Sequence, residues 1–65
     1  MQPHEQRAVD EKNDLDKKIE KLRAFVGNDI YSRLDKDEQV DLRLQLSQMQ
    51  LYSDTLKRRI NRFNP

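Results

Sequence analysis

The chain has 65 residues, no cysteine, one glycine and two prolines, and 38% of its residues are charged, 13 basic against 12 acidic. So short a chain holds one domain at most, residues 1–65, with a core that is marginal unless a staple or self-association supports it. The absence of thiols excludes a disulfide or thiolate metal site and suits a reducing cytoplasm, where we expect the protein to reside. The nearly balanced charge argues against general nucleic-acid binding, and no apolar run approaches the roughly 20 residues of a membrane span.

The first element reads as a helix from Pro3 to about Val26. Pro3 suits its first position, where a missing N–H is not needed. Ala8, Leu15, Ile19, Leu22 and Val26 step by three, four or seven, a coiled-coil-like stripe in which Lys12 replaces one apolar member. Phe25 widens the stripe near its end. Gly27-Asn28-Asp29 stops the helix: Gly27 is placed to take a left-handed cap, and Asn28 or Asp29 to start a new turn. Ile30, Tyr31 and Leu34 are spaced for one short helical turn that plugs the end of a hairpin. Asp35 reads as the next N-cap, with Glu38 three residues on, as in a capping box. The second long helix runs from about Lys36 to Phe63. Acidic residues crowd its start and Lys57, Arg58, Arg59 and Arg62 its end, both favourable to the helix dipole.

These elements define an all-α fold, an antiparallel two-helix hairpin with a short connecting helical turn, and the second helix is apolar on two faces. At about 100° per residue, Leu42, Leu46, Met49, Leu56, Ile60 and Phe63 share one stripe, while Val40, Leu44 and Leu51 lie roughly 160–200° away. The first stripe meets helix one, with Leu22 near Leu42, Ile19 near Leu46, Leu15 near Met49 and Ala8 near Leu56. Leu15, Ile19, Leu22, Leu46, Met49, Leu56 and Ile60 are the expected intrachain seam. The second stripe needs another partner, and an exposed apolar strip of this kind marks a contact. Along that back face Asp37 and Asp41 precede the apolar residues, and Arg58 and Arg62 follow. A second copy turned antiparallel about a point between Ser47 and Leu51 meets it with acid against base, the self-complementarity of a two-fold interface. We therefore expect a homo-oligomer.

No catalytic constellation appears. His4 is the only histidine, no glycine-rich phosphate loop is present, and no acidic spacing suits a metal loop, so neither an enzyme nor a metal or cofactor is expected. Glu11 and Asp14 read as a solvated surface pair. In the hairpin register Lys12 and Ser53 share one polar layer. Such a layer sets register in coiled coils, or lets the lysine stem reach water. It also reads as part of a pocket. Tyr52 and Arg59 lie one step beside the stripe, with Arg7 and Lys18 on the matching flank of the first helix. An aromatic ring among cations suits a nucleotide-like anion through stacking and charge-assisted hydrogen bonds. The candidate ligand residues are thus Arg7, Lys12, Tyr52 and Arg59.

The residue order also resembles a family of small helical proteins of tailed phages and prophages, the crAss-phage-related domain family. The first helix carries Arg7 and Val9, Glu11-Lys12, Leu15-Asp16, Lys21-Leu22 and Phe25. The second carries Gln45, Met49, Tyr52, Leu56, Arg59-Ile60 and Phe63. The resemblance spans almost the whole chain except Gly27-Asn28-Asp29 and the turn that follows. It implies a small accessory phage protein, working in the host cytoplasm against host defence. By analogy with other small helical phage proteins, it implies an oligomer that sequesters a nucleotide immune signal. Two rival functions stay open. One is an inhibitor that sets the Val40–Leu44–Leu51 strip into a groove of a host protein; the other is a structural or assembly peptide of the phage.

Overall fold

The computed structural model, which describes residues 1–63, consists of α1 (Pro3–Val26), α2 (Asp29–Ser32) and α3 (Lys36–Asn61). α1 and α3 pack side by side as the two arms of an all-α hairpin, with α2 at the bend and no strand among the described residues. The arms are antiparallel: His4 meets Phe63 at one end, Asp16 meets Ser53 midway, and Phe25 meets Tyr31 near the bend. The result is a rod of 48 × 14 × 14 Å.

The helix ends follow local chemistry, with some departures from the sequence expectation. Pro3 opens α1, and the Glu5 carboxylate accepts a hydrogen bond from the Gln2 N–H at 2.8 Å. The capping box expected at Asp35 and Glu38 does not form. Asp35 is the N-cap of α3, but its side chain makes no capping hydrogen bond. The first-turn acids Asp37 and Glu38 still complement the dipole. Gly27 sits at φ −88°, ψ 6°, so the expected left-handed cap is absent too. A Cβ there would approach nothing closer than the Ala24 carbonyl oxygen, at 3.7 Å. The turn is made instead by Asn28, whose side-chain oxygen accepts from the Ile30 N–H at 2.8 Å as N-cap of α2.

At the bend, Tyr31 is buried. Its hydroxyl donates to the Gln39 carbonyl at 2.9 Å, its ring meets Phe25 edge-on at 6.2 Å, and the Arg43 guanidinium lies 5.8 Å from the ring centre. The Gln39 side-chain amide donates to the Leu34 carbonyl at 2.8 Å and the Ser32 carbonyl at 3.3 Å, fastening the connection to α3. Ile30, expected to help plug the end, faces solvent at 57% exposure. Ile30 and Tyr31 are successive helical residues about 100° apart, so a single turn buries one of them.

The seam follows the predicted stripes. Ala8, Ile19 and Leu56 are buried, while Leu15, Leu22, Leu42, Leu46, Met49 and Ile60 are half-buried beside them. Two helices cover each other on one side only, so partial burial is the geometric limit for most seam residues. α3 ends at Asn61, short of the expected Phe63, with Arg62 as C-cap. Phe63 lies just beyond, its ring 6.2 Å from that of His4 and edge-on to it.

Candidate functional site

Lys12 and Ser53 do share a layer, and Asp16 joins them. The Lys12 ammonium pairs with Asp16 Oδ2 at 2.6 Å, and the Ser53 hydroxyl donates to Oδ1 at 2.6 Å. Ser53 is buried. The Lys12 bond, then the Ser53 bond, hold the Asp16 carboxyl below its ordinary pKa, against an opposing effect of desolvation. Both carboxylate oxygens are therefore engaged, and the Lys12 charge is committed within the chain. A groove of about 420 Å³ runs along this flank, lined by Asp16, Ile19, Glu20, Arg23, Gln50, Ser53 and Asp54.

A second groove, of about 430 Å³, is lined by Arg7, Asp10, Glu11, Asp14, Leu15, Lys18 and Tyr52. α1 supplies every lining residue except Tyr52. The Tyr52 hydroxyl donates to the Glu11 carboxylate. That bond, with a further contribution from desolvation, pushes the Tyr52 phenol up, while the nearby Arg59 charge acts the other way. The structure thus brings Arg7, Lys18 and Tyr52 to one groove and sets Arg59 within electrostatic reach, whereas Lys12 is turned to Asp16. An exposed phenol face, an apolar floor at Leu15 and flanking cations can stack a planar ring and pair with an anion. Asp10, Glu11 and Asp14 outnumber Arg7 and Lys18, however, so the groove of a single hairpin is not a cationic cradle.

Asp16 and the Glu11–Tyr52 pair escaped the sequence reading. Helical periodicity sorts residues by direction, and both carboxylates fall beside the apolar stripe, where they look solvated. The i,i+4 spacing of Lys12 and Asp16 was the available signal for one of them. Among the described residues no cluster of histidine, cysteine, aspartate and glutamate could hold a metal ion, and no helix is long and apolar enough to cross a membrane.

The back of α3 is open. Val40, Leu44 and Leu51 are 62%, 54% and 67% exposed. Asp37, Asp41, Arg58 and Arg62 are also exposed, and the one ion pair among the described residues is Lys12–Asp16, which includes none of them. Arg58 lies back along the strip, donating to the Thr55 hydroxyl at 3.0 Å.

Comparison with known proteins returns no match among curated proteins or solved structures. A family model described as Sequestin matches residues 2–62, the two arms of the hairpin and the turn between them, and on that match the chain belongs to the Sequestin family.

Proposed function

We propose that the protein is a non-enzymatic sequestering protein that captures a small anionic ligand of nucleotide type in a site shared between copies of the chain. Family membership carries this reading, since the name Sequestin is consistent with a sequestering role. The groove beside Tyr52 supports the class of ligand: an exposed ring to stack a base, with Arg7, Lys18 and Arg59 to meet phosphate. Its single wall and surplus of carboxylates support the need for a second copy, whose cations would complete it. The resemblance to small phage proteins adds the setting, an accessory protein in a host cytoplasm that removes a nucleotide immune signal.

The test is calorimetry of the full chain against a panel of cyclic and linear nucleotides. One class should bind. Tyr52→Ala should weaken it by the loss of a stacked base, about 1–3 kcal/mol, or roughly five- to 150-fold in affinity. Arg59→Ala should weaken it as well. Silence across the panel, with a host protein retained on the immobilised chain through the Val40–Leu44–Leu51 strip, would replace this reading with that of a protein inhibitor.

A further inference from the structure

The sequestering reading needs a second copy, and the structure leaves one face for it. We infer that the back of α3 is a two-fold interface with another copy of this chain, its axis passing between Ser47 and Gln48. This rests on the oligomeric part of the proposed function and names its surface.

The first ground is burial. Among the described residues Ala8, Ile19, Tyr31 and Leu56 are the buried hydrophobic ones, while Val40, Leu44 and Leu51 stand open in one line on the far side of α3. A core this small gains from any further apolar burial, and an aligned exposed strip supplies it.

The second ground is the order of residues along that line. Turned antiparallel about the stated axis, Leu44 of one copy lies opposite Leu51 of the other, twice. Val40 meets Thr55, and Asp37 meets Arg58. Arg62 lies one turn further on, level with Arg33 and beyond the start of the opposing α3, so the charge match rests on the two Asp37–Arg58 pairs. Reversing the helix exchanges Asp37 for Arg58 and returns leucine to leucine, as an isologous contact requires. Among the described residues Asp37 and Arg58 have no ion partner, and Arg58 already lies toward the strip through its bond to Thr55. A parallel pairing would set Asp37 and Asp41 against their own copies and Arg58 and Arg62 against theirs, so charge selects the antiparallel arrangement.

The third point is a consequence for the ligand site. An antiparallel two-fold keeps the same flank of both helices on the same side of the pair. Tyr52 and Arg59 lie on one flank of the strip, about 80–100° from Leu51 at 100° per residue. Both copies therefore present them to one shared face. The opposite register position to Tyr52 is Arg43, so the two tyrosines stand nine residues apart along the axis, about 14 Å at 1.5 Å per residue. A ligand spanning that face would touch both chains.

Assembly is read without ligand, so its outcome is separable from that of the nucleotide titration. In sedimentation equilibrium the full chain should weigh an even multiple of 7.9 kDa. Leu44→Glu with Leu51→Glu should at least halve that mass while circular dichroism keeps its helical signal. A second variant spares the fold. The chain has no cysteine, so Ser47→Cys places a single thiol at the axis. It should form a disulfide-linked dimer under mild oxidation, and Lys17→Cys on α1 should not. A parent chain that sediments as a monomer, or a doubly substituted chain that keeps the parent mass while Ser47→Cys stays uncrosslinked, would overturn this interface.

Discussion

At the scale of single residues, Asp16 has both carboxylate oxygens engaged, by Lys12 and Ser53, and its behaviour with pH is specific. Lys12 and Ser53 favour its charged form, so its folded pKa lies below the ordinary aspartate value. A depressed carboxylate supplies stability above the unfolded pKa and loses it as pH falls through the folded pKa. The side chain is 44% exposed, so solvent screening keeps the contribution small. By NMR, the Asp16 titration midpoint should rise toward its ordinary value in Lys12→Met, and also in Ser53→Ala. A midpoint that stays low in both would mean that neither bond holds the carboxylate. Lys12 and Ser53 were recognisable as a shared layer because periodicity alone aligns them. Asp16 was not, because its role depends on which way a short side chain reaches from the edge of the stripe.

At the scale of elements, the two apolar stripes decide the hairpin, and burial grades how much each seam residue matters. Leu56 is fully buried and Leu22 only half-buried. Leu56→Ala should cost on the order of 2–5 kcal/mol in urea unfolding followed by circular dichroism, and Leu22→Ala measurably less. So large a loss is a substantial part of the total for any small domain, so Leu56→Ala is expected to be partly unfolded at room temperature. Equal and negligible effects would mean that the stripes do not face each other. Helix spans and seam follow from 3.6-residue periodicity, which extends over many turns and averages out local exceptions. The bend does not, because each of its details turns on one contact. Tyr31 displaces Ile30 from the interior through its bond to the Gln39 carbonyl, and Asn28 makes the turn that Gly27 was expected to make. The capping box at Asp35 fails for the same kind of reason, one side chain that does not reach back.

At the scale of the whole molecule, a thin rod of 48 × 14 × 14 Å has no room to enclose a ligand. Its grooves are open troughs along the helix junction, and the one beside Tyr52 holds more carboxylates than cations. In the proposed function a second rod closes the trough. The central claim is that the ligand lies between copies. Native mass spectrometry of the full chain, titrated with the nucleotide that gives heat in calorimetry, tests it most directly by counting ligands and chains together. Ligand should appear only on species with an even number of chains, at one ligand per pair, and should vanish when Leu44→Glu and Leu51→Glu separate the copies. Ligand retained on single 7.9 kDa chains, in the parent or in that variant, would contradict a shared site.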